Sequence, residues 1–356
     1  MMKNNKKMNI LMIGPVLNGF GGISRVVRTW FEGNILKSFN VAYVSTVSED
    51  SRSRIIDLIK ALSGFSRNSL NADLIYIHTS SAHSCYRKCI FLFLSYVIRK
   101  KVILHVHPAH FVDFLAELGQ VKRMLVTALL RTAEAIVVLT PGIQVQLAEI
   151  FPDKKFYVML NPVHVDMLAN PANIKRKECQ LLYLGWYNRN KGVYDLVDAL
   201  EIVNEQNKDV KLKFFGTKEI EKLKSYVSSK GLNHVIEVNG WADDEEKIKA
   251  LYESTCLILP SYTEGLPNVV LEAMATRTPV IATHVGGLKE ILVPWVNAII
   301  VEPGNPRDIS EKITYLLDNK EKRDAIAEKA FEEVKNKYDV PIIRKRFAEI
   351  LNEICN

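Results

Sequence analysis

Cysteine is scarce in this sequence, and so is any long apolar run. The five cysteines, Cys85, Cys89, Cys179, Cys256 and Cys355, form no CxxC pair and no paired-site spacing. That argues against a structural zinc and for free thiols in a reducing compartment. The longest apolar stretch, Cys89 to Ile98, is interrupted by Ser95 and reaches about half of the roughly 20 residues a spanning helix needs. Lys3 to Lys7 precede an apolar segment, Ile10 to Leu17, but Gly14 and Pro15 break it and no small-residue cleavage site follows. A signal peptide is therefore not expected. The expectation is a cytoplasmic protein that touches the inner face of the cell membrane at most peripherally. Three motifs are missing too: GxGxxG after the first strand, Asp-x-Asp after any strand, and interleaved aromatic and basic residues. Their absence argues against the dinucleotide fingerprint, a metal held on a diphosphate, and nucleic-acid binding.

What is present is an ordinary globular composition, 48% hydrophobic and 24% charged, in a chain of 356 residues. That length fits two domains better than one. The net charge of +7 is unevenly spread. Residues 1–165 hold 20 Lys+Arg against 10 Asp+Glu, and the remainder 27 against 30. A basic N-terminal half suits an anionic partner, such as a phospholipid surface or a phosphorylated acceptor.

Apolar runs and helical periodicity alternate along both halves. Strands are expected at Asn9–Ile13, Val41–Ser45, Leu74–His78, Val102–Val106 and Ala135–Leu139, with helices from Ser24 and over 54–63, 86–98 and 121–132. Such repetition means a parallel sheet. A polar stretch, 169–179, reads as a linker. A second alternation begins with strand Gln180–Leu184 and continues through Lys211–Phe215, Val235–Val238, Cys256–Leu259, Val280–Ala282 and Ala298–Val301. The last segment, Pro341–Ile354, spaces Ile343, Phe347, Ile350, Leu351 and Ile354 as one helix face. The expected domains are 1–168, 180–338 and a terminal helix over 339–356.

The most informative stretch is SYTEGLPNVVLEAM, Ser261 to Met274. A buried strand hands the chain to a helix starting near Pro267, so that Glu264 lies in the loop. Asn268 and Glu272, four apart, share the side of the helix away from the core. The two carboxylates are expected to converge on one crevice, beside a helix start that suits an anion. Upstream, Gly185 to Gly192 joins a strand to an amphipathic helix. Lys191 thus stands where an ammonium and a helix N-terminus share a diphosphate. In the first half, Gly19, Gly21 and Gly22 let backbone approach a ligand, with Ser24 as the expected N-cap. His78, His105 and His107 fall at strand ends. Asp243 and Asp244 read as first-turn acids of a helix.

These residues resemble the signature of the retaining, nucleotide-sugar-dependent glycosyltransferases of family 4, or glycosyl transferases group 1. The resemblance implies the GT-B architecture: two Rossmann-like α/β domains facing across a cleft, with a C-terminal helix crossing back to the first. It implies transfer of a sugar from a nucleotide diphosphate sugar, a UDP-sugar by expectation, to a hydroxyl of a glycan or lipid-linked acceptor, with no metal or cofactor. By resemblance, Glu264 would hold hydroxyls of the donor sugar and Glu272 the ribose. Lys191, Arg189, Gly185, Gly21, Gly22 and the helix start at Gly265, Leu266, Asn268 and Val269 would hold the donor. His107 would orient the transferred sugar, with Arg25 and His78 near the acceptor. The family usually has Arg where this chain has Trp186, and Arg189 is the expected substitute for its charge.

Two other readings share the scaffold. A sugar-nucleotide epimerase or hydrolase would consume donor without acceptor, and a non-catalytic descendant would bind donor without consuming it. Phe91, Leu92, Phe93 and Phe111–Leu115 are either buried helix faces or part of a surface that meets a membrane-borne acceptor.

Overall fold

Two six-stranded sheets carry the chain, and every pairing within them is parallel. The computed structural model describes residues 7–47, 53–108, 110–170, 173–207 and 209–355. The start of the chain before Lys7 and positions 171 and 172 of the expected linker lie outside them. Contacts divide the chain into one unit of Met1–Pro162 with Val340–Asn356 and another of Val163–Asp339.

In chain order the first unit holds β1 (Asn9–Gly14), α1 (Gly22–Glu32), β2 (Asn40–Ser45), α2 (Arg54–Ser69), β3 (Leu74–Thr79) and α3 (His83–Val97). It continues with β4 (Val102–Val106), α4 (Phe111–Ala116), α5 (Gln120–Leu130), β5 (Ala135–Val138), α6 (Pro141–Ile150) and β6 (Lys155–Val158). The sheet order is β2-β1-β3-β4-β5-β6. Strands β3, β4 and β5 are buried along their whole length, as continuous Val/Ile/Leu runs covered on both faces should be.

The second unit holds β7 (Gln180–Tyr187), α7 (Val193–Gln206), β8 (Lys211–Lys218), α8 (Ile220–Ser229), β9 (Ile236–Asn239), α9 (Asp244–Glu253) and β10 (Cys256–Leu259). Then come α10 (Asn268–Ala275), β11 (Val280–Thr283), α11 (Leu288–Ile291), β12 (Ile299–Val301), α12 (Pro306–Asp318) and α13 (Lys320–Lys337). Its order is β12-β11-β10-β7-β8-β9. The chain turns back between the adjacent strands β7 and β10, the switch point where open α/β sheets leave a crevice at the carboxyl ends.

The segment expected as a linker is fastened to this second unit. Lys177 N donates to Glu253 O at 2.8 Å and Thr255 Oγ1 to Lys177 O at 2.9 Å, while just ahead of the segment Tyr252 Oη donates to Leu168 O at 2.7 Å. Its polar side chains read as linker, but its backbone groups find partners on α9 and on Thr255, just before β10.

The last helix, α14 (Val340–Cys355), belongs to the first unit. Ile343, Phe347, Ile350, Leu351 and Ile354 are buried in one cluster with Ile10, Met12, Val27, Trp30 and Tyr76. The Phe347 ring lies 4.9 Å from that of Trp30 and 5.7 Å from that of Tyr76. Among the described residues no helix is long and apolar enough to cross a membrane.

Candidate active site

In the second unit the chain is led to one cluster by its strand ends. After β7, Asn188 accepts the Lys191 amide on its side chain at 3.1 Å and so shapes the short turn Arg189–Lys191. Gly192 follows with φ of +65°, and a Cβ there would stand 2.1 Å from the carbonyl oxygen of Pro260. Only glycine lets this turn press against the end of β10. Tyr262 N closes the contact by donating to Asn190 O at 2.9 Å.

Lys191 Nζ therefore reaches Glu264 Oε1 at 2.6 Å. Ser261 Oγ donates to the same oxygen at 2.7 Å, and Thr283 Oγ1 at the end of β11 donates to Ser261 O at 2.5 Å. Three strand ends thus fix one carboxylate. Glu264 is 7% exposed, and such a burial demands the charge-assisted partner that it has. Helix α10 begins four residues later, with Pro267 as its N-cap and its positive dipole end next to the pair.

Glu272 departs from expectation. The spacing puts it with Asn268 on the outer side of α10, but that side is covered and Glu272 is buried. Lys247 of α9 donates to its Oε1 at 2.8 Å and also pairs with Asp244 at 3.3 Å. The two carboxylates expected in one crevice are thus held by different lysines. Lys247 was missed because it lies 25 residues away on another helix, and only the packing of α9 on the sheet brings it in. Asp243 caps α9, accepting Glu246 N at 2.8 Å.

Gly185 pairs with Gly216 where β7 and β8 end, and a Cβ at Gly216 would fall 1.8 Å from Gly185 O. Trp186, at the position where an Arg was expected, carries Lys218 Nζ 5.1 Å from its ring centre. Lys218 has φ of +91°, an uncommon backbone conformation for a side-chain-bearing residue. Arg189 instead lies over the Tyr194 ring, 6.0 Å from its centre. Lys218 was not legible in the sequence, since it meets Trp186 only through the register of β7 on β8.

In the first unit, Gly21 is the N-cap of α1, with no side-chain cap, and Arg25 N donates to Gly21 O at 3.0 Å. Ser24, the expected cap, is instead buried one turn inside. A Cβ on Gly22 would meet nothing within 4 Å. His78, His105 and His107 gather at the carboxyl ends of β3 and β4. His78 Nδ1 and His107 Nε2 are 2.9 Å apart, and the His105 and His107 rings stack at 4.1 Å. His105 Nδ1 pairs with Tyr76 Oη at 3.1 Å. Burial pushes His107 down to about 3 and holds His78 and His105 well below the usual histidine value, so all three are neutral near pH 7. They are the described residues whose ligand atoms cluster closely enough to hold a metal ion, although the hydrogen bonds above already engage one nitrogen of each.

The pattern of the family described as Glycosyl transferases group 1 matches residues 167–333. The chain is similar to an uncharacterised glycosyltransferase of Methanocaldococcus jannaschii, 29% identical over 259 residues, covering 72% of this chain and 68% of that protein. It is also similar to the capsular polysaccharide biosynthesis glycosyltransferase CapM of Staphylococcus aureus, 28% identical over 48% of this chain and 45% of CapM. Among solved structures, Anabaena HepE in complex with UDP-glucose matches with a TM-score of 0.76 at 17% identity, covering 97% of this chain and all of that one. That pattern fills most of the second unit and the two-sheet GT-B fold runs through both, so that the chain resembles the glycosyl transferases group 1 in its second unit and shares the GT-B fold throughout.

Proposed function

We propose that this glycosyltransferase moves a sugar from a UDP-sugar to a hydroxyl of a glycan or lipid-linked acceptor, with retention and without a metal ion. The observation that carries the reading is the Lys191–Glu264 pair at 2.6 Å, built from three strand ends beside the start of α10. An enzyme of this kind must stabilise charge on a leaving diphosphate and hold the sugar ring at the same place. A half-buried ammonium next to a helix N-terminus supplies the first, and a fixed carboxylate the second. Arg189, Lys218, Gly185 and the backbone of Gly265, Leu266, Asn268 and Val269 complete the donor site in this reading.

In the reaction the acceptor oxygen bonds to the anomeric carbon as the bond from that carbon to the diphosphate oxygen breaks. The acceptor proton leaves with the diphosphate, on the face from which it departs. Glu264 holds donor-sugar hydroxyls, and Glu272, oriented by Lys247, binds the ribose. His107, neutral and oriented by His78, hydrogen-bonds the transferred sugar, while Gly21, Gly22 and Arg25 serve donor phosphate and acceptor. CapM is named for capsular polysaccharide biosynthesis, and a surface polysaccharide or glycoconjugate is the product class proposed here.

The test is a mass-spectrometric screen of nucleotide sugars against glycan and polyprenyl-diphosphate-linked acceptors, with chelator present and anomeric configuration read by NMR. Acceptor-dependent product that falls at least about 1,000-fold in Glu264→Gln is expected. Donor loss without acceptor would identify a hydrolase or epimerase instead. Binding without turnover would identify a non-catalytic descendant.

A further inference from the structure

Connections β2–α2–β3, β3–α3–β4 and β4–α5–β5 all advance the same way along the first sheet. Right-handed crossovers therefore place α2, α3 and α5 side by side on one face. The rings of Phe65 on α2 and Phe91 on α3 lie 5.6 Å apart, and α3 packs on α5. The outward side of this row is apolar where a helix layer usually turns polar. Ile55 and Ile59 of α2, Phe93 and Tyr96 of α3, and Val121 and Met124 of α5 are each more than half exposed. A concentration of exposed large apolar side chains along one row of helices marks an interaction site.

Charge identifies the partner. The three helices hold seven Lys or Arg and one acid; Asp57 and Lys88 are both buried, which leaves six cations and no acid toward solvent. Arg54, Lys60, Arg67, Lys122 and Arg123 are exposed among the apolar side chains. A protein partner generally presents both signs of charge, whereas an anionic bilayer presents one sign with hydrocarbon directly behind it. Aromatic and aliphatic groups interleaved with long cations match that layering.

We infer that the α2–α3–α5 face of the first unit docks on an anionic phospholipid surface. Phe93, Tyr96 and Met124 enter the interfacial region while Lys60, Arg67 and Arg123 meet lipid phosphates. The surface also relocates the sequence-based expectation: Phe91, Leu92, Phe111, Phe114 and Leu115 are buried and Val112 is half-buried, so that Phe93 is the apolar residue of those patches that is exposed. Docking here would bring the enzyme to a lipid-linked acceptor, yet it stands or falls separately from sugar transfer.

The full chain is floated with vesicles of phosphatidylcholine alone or with about 30% phosphatidylglycerol, at about 50 and 500 mM salt and with no donor or acceptor. Expected is recovery with the anionic vesicles at low salt and release at high salt. The pairs Phe93→Ser with Met124→Ser and Lys60→Glu with Arg123→Glu should each weaken binding at least about tenfold. The altered side chains are exposed, so melting curves should stay within about 3 °C of the parent. No flotation with anionic vesicles, or flotation untouched by both pairs, would overturn the inference. So would a dimer in sedimentation that Phe93→Ser with Met124→Ser dissolves while vesicle binding persists, since the face would then be covered by a second copy.

Discussion

At Gly192 two constraints coincide, a φ of +65° and the Pro260 carbonyl 2.1 Å from where a Cβ would stand. The first alone costs an L-residue about 1–2 kcal/mol, and the second forces the turn away from β10. Because Lys191 is the neighbouring residue, that displacement falls directly on the 2.6 Å bond to Glu264. Gly192→Ala should lower stability by about 2–4 kcal/mol in chemical denaturation and weaken donor binding in titration calorimetry. Unchanged donor affinity would show that the position of Lys191 does not depend on this contact. Lys191, Gly192 and Glu264 were legible because each sits within a few residues of a strand end. Lys247 and Lys218 were not, because their partners lie 25 and 32 positions away. Their roles are fixed by packing and strand register, which no local pattern encodes.

Among the elements, α3 carries an anomaly. Lys88 is 2% exposed, with Thr46 Oγ1 as its hydrogen-bond partner, and burial pulls its ammonium down to about 7. The unfolded chain holds that proton up to about pH 10.4, so folding is penalised. The penalty is full below pH 7 and fades as pH rises toward the unfolded value. Lys88→Met, similar in length and apolar, should therefore stabilise the protein by a few kcal/mol at pH 6.5 and by much less at pH 10. Equal gains at both pH values would show that Lys88 carries no such penalty. Elements with strong periodicity were readable: α14 shows its apolar face at Ile343, Phe347 and Ile350, as spaced in the sequence. Phe347→Ala should accordingly cost about 3–5 kcal/mol in denaturant unfolding, with a small loss pointing to a loosely packed helix. Helices α4, α6 and α13 and strand β6 were not foreseen. They are short, or in α13 so rich in Lys and Glu that no continuous apolar stripe marks them, and tertiary contacts decide them.

For the whole molecule, the two sheets were visible as two βα alternations, but the distribution of titrating burial between them was not. His78, His105 and His107 are all buried in the first unit, while His234 is exposed and His284 partly buried in the second. A histidine whose folded value is depressed contributes no penalty above its unfolded value of about 6.5. Below that, the unfolded chain takes up a proton that the fold refuses, so stability drops as pH falls from about 6.5 toward about 3 for His107, with the other two adding in the same direction. The first unit should therefore fail first in acid. Between pH 7.5 and 5.0, calorimetry should show the transition of the first unit moving down by several degrees while that of the second changes little. His105→Gln should reduce that shift at a cost in stability at pH 7.5, because Gln cannot ionise but fills the site less well between Trp30 and His107. If both transitions moved together, or the variant kept the full acid shift, the buried imidazoles would not be the source of the acid sensitivity.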